Sequence, residues 1–260
     1  MARIYPLFSS SKGNASFIGS PDGGILIDAG VSYKKLTAAM ELCGISISAV
    51  QGVFITHSHS DHIKGLKMLT KKTGVPVFGQ RATLEELLCK ECIDGSSEVF
   101  EINDTTEAAG MEITCFDTPH DTAASCGYRI TCRDGRTCAV CTDLGCITPV
   151  VEKNITGCDL VLLEANYDED MLKNGPYPYY LKKRIGSGHG HLSNTSSADQ
   201  VRKLIESGTT RIILGHLSQE NNTPLTAEST VLRSLVRFKR DRDYILSVAP
   251  VETSGETVVF

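Results

Sequence analysis

Several things are missing from this 260-residue chain, and each absence removes a class of protein. No uninterrupted apolar run approaches the ~20 residues that a membrane-spanning helix needs, which excludes a membrane-embedded protein of that kind. The opening MARIYPLFSSSKGN lacks the basic region and long apolar stretch of a signal peptide, so a cytoplasmic location is expected. Tryptophan is absent, but an apolar content of 41% is ordinary for a globular protein, and disorder, collagen and coiled coil are excluded. No Pro/Ser/Gly linker or low-complexity tract interrupts the chain, which predicts one domain over 1–260. Nor is there an excess of basic charge. The 26 Lys and Arg are outnumbered by 31 Asp and Glu, a net −5 that argues against non-specific wrapping of nucleic acid. The charge is uneven, however: residues 1–81 carry +5, 82–175 carry −13 and 176–260 carry +3, so a local basic approach to one site stays open.

Ten cysteines are present, but disulfide frameworks belong to short secreted chains, and free thiols are expected. Cys138 and Cys141 lie in a strand-like stretch, where positions three apart face opposite sides. Cys89 and Cys92 fall in the helical pattern RATLEELLCKECI, where they could share a face and serve a redox or metal role.

The order of elements is legible from periodicity and turn residues. Residues 3–28 read as three strands joined by a Ser/Gly-rich loop and a Pro-Asp-Gly-Gly turn, the last ending at Asp28. Residues 32–43 have helical spacing, AVQGVFIT reads as a buried strand, and IKGLKMLTKKTG returns to helical spacing. Further strands are expected at VPVFG, near 98–103 and 111–118, and at CGYRITC, TCAVCTD, DLVLLEA and RIILGH, with helices near 194–208 and 224–238. A chain that alternates strands and helices in this way buries two sheets against each other under outer helices. The fold class expected is α+β, a four-layer αββα sandwich.

The densest chemistry is His57-Ser-His59-Ser-Asp61-His62, where a buried strand hands over to a helix. Four metal-capable side chains in six residues have little use in an apolar core. Extended backbone puts His57 and His59 on one side, and the turn into the helix sends Asp61 and His62 elsewhere, so two metals could be held from one loop.

This motif resembles the H-x-H-x-D-H signature of the metallo-β-lactamase-fold hydrolase superfamily, and the similarity continues in order along almost the whole chain. It implies that Asp28 buttresses the metal loop by orienting an imidazole, that His120 in DTPHDT is the third histidine of one metal site, that Asp143 in CTDLG bridges, and that His216 in ILGHLS completes the other site. His57, His59 and His120 would then hold one divalent ion and Asp61, His62 and His216 a second. Ions ~3.5–4 Å apart could share a bridging hydroxide as nucleophile, with Asp61 essential to turnover. Imidazole and carboxylate suit zinc, manganese and iron alike.

The resemblance also narrows the chemistry. β-Lactamases of the fold lack a histidine at the position of His62, whereas nucleases, phosphodiesterases and thioester hydrolases keep it. The 72 residues between Asp143 and His216 leave no room for the large inserted β-CASP domain of RNA-processing members. They carry instead Gly188-His189-Gly190-His191-Leu192-Ser193-Asn194, in which His191 resembles the histidine that phosphodiesterase members use at the scissile phosphate, with His189 a weaker candidate. Ser193 or Asn194 would cap a helix whose N-terminus receives an anion. Lys182, Lys183 and Arg184 could meet a phosphate backbone, Tyr177, Tyr179 and Tyr180 could stack bases, and Ser11, Lys12 and Asn14 could hold phosphate oxygens. Glu164 ends a buried strand near the expected metal face. The ordering looks closest to the small YycJ/WalJ-type members, which implies a di-metal phosphodiesterase acting on nucleic acid, DNA favoured, as an exonuclease linked to DNA repair. The alternatives are hydrolysis of small cyclic phosphodiesters, or of thioesters and lactones as in glyoxalase II relatives. A flavodiiron-like redox module would require a Glu within the first motif, where Ser58 and Ser60 stand.

Overall fold

Apolar alternation builds two sheets, each buried on both faces. In the computed structural model, which describes residues 2–260, strand β3 (Gly23–Ile27) sends Ile25 and Ile27 to one side and Leu26 to the other. Strand β11 (Leu160–Glu164) likewise sends Leu160 and Leu162 inward and Val161 and Leu163 outward. The first sheet also contains β1 (Arg3–Ser10), β2 (Gly13–Ser20), β4 (Val50–Phe54), β5 (Val77–Gly79), β6 (Val99–Glu101) and β14 (Val258–Val259), in the order β14-β1-β2-β3-β4-β5-β6. The second contains β7 (Thr105–Ala108), β8 (Met111–Asp117), β9 (Cys126–Thr131), β10 (Thr137–Cys141), β12 (Arg211–Gly215) and β13 (Ile245–Val248), in the order β13-β12-β11-β10-β9-β8-β7.

A central core of Ile4, Ile18, Phe54, Ile113, Tyr128 and Ile213 joins the sheets face to face. Helices α1 (Tyr33–Leu42), α3 (Leu66–Thr73) and α4 (Arg81–Cys89) cover the outer face of the first sheet through Leu36, Leu69 and Leu87. Helices α5 (Pro149–Ile155), α8 (Asn194–Glu206) and α9 (Pro224–Ser234) cover the second through Val151, Val201 and Val231. Three short helices complete the set: α2 (Ser60–Ile63), α6 (Glu169–Asn174) and α7 (Tyr179–Ile185). The result is the four-layer αββα sandwich. Among the described residues no helix is long and apolar enough to cross a membrane.

Each sheet is antiparallel on one side and parallel on the other. β3, β4, β5 and β6 run parallel in the first sheet, as do β10, β11, β12 and β13 in the second. Parallel strands end at one edge, and the chemistry collects there: Asp28 follows β3, His57 follows β4, Asp143 follows β10, Glu164 ends β11 and His216 follows β12. Three of these residues have left-handed backbone, with φ of 60° at Asp28, 58° at Asp143 and 55° at His216. Such conformations cost a non-glycine residue of order 1 kcal/mol each, and they turn the chain sharply at the strand end, where the side chains meet other segments of the site.

Two expectations about cysteine separate here. Cys138 lies between the sheets and Cys141 beneath the helices of the second, as alternation requires. Cys89 and Cys92 share no helix face, because α4 ends at Cys89 and Glu91 turns the chain with φ of 52°. All ten thiols are free.

Candidate metal centre

The loop after β4 is fixed from both sheets before it presents any ligand. Tyr128 on β9 donates its hydroxyl to the Ile55 carbonyl at 2.6 Å, and the Cys126 N–H donates to the Thr56 carbonyl at 3.1 Å. Gly30 passes so close beneath the loop that a Cβ there would lie 1.7 Å from the Asp61 carbonyl oxygen, so the approach requires glycine.

The hydrogen bonds assign the imidazole tautomers. Asp28 accepts from the Thr56 N–H and hydroxyl, each at 2.9 Å, and from His62 Nδ1 at 2.8 Å. With its proton given to Asp28, the Thr56 hydroxyl accepts from His57 Nδ1 at 3.0 Å. The Gly190 carbonyl, which can only accept, takes the Nδ1 proton of His120 at 2.9 Å. Glu164 Oε1 stands 2.8 Å from Nδ1 of both His191 and His216, while its Oε2 accepts from the Leu144 N–H at 3.1 Å and the Leu192 N–H at 3.0 Å. His57, His62, His120 and His216 therefore each donate Nδ1–H away from the site and keep the Nε2 lone pair for it, which is how outer hydrogen bonds orient ligating imidazoles, and His191 is held by Nδ1 in the same way with its Nε2 left over.

The free ligand atoms gather into overlapping groups. His57, His59 and His120 form one and Asp61, His62 and His216 a second, Asp143 joins His57 and His62 in a third, and Asp143, Glu164, His191 and His216 make a fourth, with ligand atoms within 4.8 Å of one another in each. His57 Nε2 lies 3.0 Å from His59 Nδ1. Asp143 sits between the first two groups, its Oδ2 3.3 Å from His62 Nε2 and its Oδ1 3.7 Å from His120 Nε2. His57 and His59 share one group and Asp61 and His62 another, while His57 and His62 also approach each other, with ring centroids 4.1 Å apart.

His120 Nε2, His216 Nε2 and Asp143 Oδ2 are buried without a hydrogen-bond partner. An orphaned lone pair in a core is costly, and three of them aimed into one cluster of imidazoles and carboxylates fit divalent cations. Electrostatics agree. Burial alone would raise the Asp143 carboxyl, but His216 and His62 hold it well below the usual carboxylate range. Burial alone would lower the His216 imidazole, yet Asp143, Asp61 and Glu164 push it up to about 10. A buried set of carboxylates that draws protons onto its imidazoles is short of positive charge, which metal ions supply.

His191 stands between the two histidine groups, its ring centroid 5.2 Å from that of His120 and 5.3 Å from that of His216. Its loop folds tightly against α7, since a Cβ on Gly190 would lie 2.2 Å from the carbonyl oxygens of Arg184 and Ile185. Glu164 is the residue whose reach the sequence understated. A carboxylate ending the apolar run LVLLE was its only signal, and its four contacts lie 20 to 52 residues away.

Other expected contacts are placed differently. Asn14 is buried, its amide nitrogen 3.1 Å from His62 Nε2 and 3.3 Å from Asp61 Oδ2, so it supports two ligands rather than facing solvent. Ser11 and Lys12 are the exposed tip of the β1–β2 turn. Ser193 is buried, and its hydroxyl is spent capping α8 at the Ser196 N–H. Lys182 Nζ donates to the Lys173 carbonyl at 2.8 Å, Lys183 Nζ lies over the Tyr179 ring at 5.1 Å, and Arg184 pairs with Asp121. His189 is exposed at the loop tip.

Comparison with known proteins accords with this geometry. A model described as a beta-lactamase superfamily domain matches residues 24–217. Exodeoxyribonuclease YycJ of Bacillus anthracis is 33% identical over 232 residues, covering 88% of this chain and 87% of that protein. Exodeoxyribonuclease WalJ of Streptococcus pneumoniae is 32% identical over 235 residues, covering 89% and 87%. The metallo-β-lactamase fold protein YhfI of Bacillus subtilis superposes with a TM-score of 0.75 over all of both chains at 16% identity. The chain belongs to the β-lactamase superfamily and is a metal-dependent hydrolase of that fold.

Proposed function

We propose that this hydrolase is a phosphodiesterase acting on DNA, that it removes nucleotides from an end, and that it works with two divalent ions, zinc or manganese. The observation that carries the reading is His191. It belongs to neither the His57-His59-His120 nor the Asp61-His62-His216 group; its Nδ1 side gathers with Asp143, Glu164 and His216 and is taken by Glu164, and its ring lies beside His120 and His216. A histidine so placed serves the substrate between the metals. The relatives named exodeoxyribonuclease, matched over most of both chains, support the choice of substrate.

His57, His59 and His120 would hold one ion and Asp61, His62 and His216 the other, with Asp143 shared. Bound there, the ions lower the pKa of water toward neutrality and take up charge developing on the phosphoryl oxygens. The remaining work falls to the chain. Glu164 holds His191 by Nδ1, so the atom offered to the substrate is Nε2. Burial alone would lower the His191 imidazole, but Glu164 and Asp143 raise it above its ordinary value, which favours a protonated Nε2 able to bind a phosphate oxygen and give its proton to the leaving oxygen.

The test is digestion of an end-labelled, 5′-phosphorylated DNA strand with added Mn²⁺, using Asp61→Ala protein as control. A ladder shortening from one end in the wild type alone is the expected result. Equal cleavage by the control, or none by either, contradicts the proposal.

A further inference from the structure

The segment between β11 and α8 carries a feature that the metal centre does not use. α7 buries none of its side chains, and Tyr179 and Tyr180 at its start are 73% and 74% exposed. A helix without a buried face is not positioned by the core. Polar contacts fix it instead: Arg184 to Asp121, Lys182 to the Lys173 carbonyl, and the His191 N–H to the Ile185 carbonyl at 2.9 Å.

Between α6 and α7 runs an open groove of about 350 Å³, lined by Tyr167, Leu172 and Tyr179 together with Lys173, Lys182 and Lys183. Glu169 also borders it, but among the described residues none of the three lysines is paired with a carboxylate. The groove adjoins the His191 segment on both sides. α7 leads through Gly186 into the His191 loop, and the Tyr167 carbonyl accepts from the Asn194 N–H at 2.8 Å, three residues beyond His191. Aromatic and cationic side chains thus share one concave surface at the approach to the site, in a protein whose net charge of −5 repels polyanions elsewhere.

Resting on the nuclease reading above, we propose that this groove seats an unpaired nucleobase of the substrate strand against Tyr179, with neighbouring phosphates at Lys182 and Lys183, so that the strand entering the site is single-stranded. Stacking on tyrosine needs a bare base face, and a duplex covers both faces of each base with its neighbours. The lysines add attraction for the backbone without reading sequence. Lys183 over the Tyr179 ring also holds that ring in place, which reduces the entropy lost when a base arrives.

The test compares two fluorescently labelled DNA single strands of equal length, one with bases and one with abasic sugars throughout, by anisotropy on protein carrying Asp61→Ala so that neither is cut. Protein with Tyr179 binds the base-bearing strand at least about fivefold more tightly than the abasic one. Tyr179→Ala removes that preference, and Tyr179→Phe keeps it. Tyr179 is exposed, so neither change touches the core. A preference that survives Tyr179→Ala overturns the proposal, as does equal affinity for both strands or duplex bound as tightly as single strand. If wild-type protein still cuts DNA with metal present, such a result removes the groove's role alone. Failure to bind or cut DNA at all overturns both.

Discussion

Asp28 Oδ2 lies 2.8 Å from His62 Nδ1, with both groups buried at the base of the metal centre. The same carboxylate holds Thr56, and through it His57, so one residue orients an imidazole in each ligand group. Asp28→Asn keeps the shape and tolerates the left-handed backbone, but its amide cannot accept on both sides. Metal affinity should fall roughly 10–100-fold, read by competition with a chelating dye. Unchanged affinity would show that Asp28 does not orient the ligating imidazoles.

His191→Ala separates substrate chemistry from metal binding. The side chain lies outside the His57-His59-His120 and Asp61-His62-His216 groups, and in its own group with Asp143, Glu164 and His216 its Nδ1 is taken by Glu164, so the bound metal per chain should stay at the wild-type value. DNA turnover should drop about 10²–10⁴-fold. Equal loss of metal and turnover would make His191 a ligand.

Glu164→Gln should hurt both functions together. The amide cannot accept from His191 and His216 while also accepting from the Leu144 and Leu192 N–H groups, so at least one buried partner is orphaned. A cost of about 1–3 kcal/mol lowers the melting temperature by roughly 2–10 °C. Metal content and turnover should both fall, in contrast to His191→Ala, and a variant with wild-type melting and metal content would refute the shared-acceptor role.

Metal removal should leave a folded but weaker protein. Raised imidazoles at His62 and His216 supply part of the missing positive charge, which keeps the carboxylates compensated. An ion present at a hundred times its dissociation constant adds about 2.7 kcal/mol, so chelation should lower the melting temperature by roughly 5–10 °C. Identical melting with and without chelator would mean that the cluster holds no ion.

The sequence carried the parts of this site that are dense or periodic. His57, His59, Asp61 and His62 stand within six residues, and the strands ending at Asp28, Asp143 and His216 are apolar runs bounded by turn residues. What escaped depends on long-range contact. The Ser9 hydroxyl accepts from the His216 N–H at 2.7 Å across 207 residues, and no local pattern announces that. α7 has no apolar periodicity because it buries no face, and Lys182, one residue of a plain charge run, turns back onto α6 instead of toward the cleft. Ser193 was legible as a helix cap, and that role leaves it no hydroxyl for a substrate.

The most direct test is a titration of metal-free protein with Mn²⁺ or Zn²⁺ that follows bound metal and DNA cleavage in the same samples. The paired ligand groups predict that two equivalents bind and that cleavage reaches its maximum only as the second is filled. Full activity at one equivalent, or cleavage that proceeds with none, would contradict a two-ion phosphodiesterase.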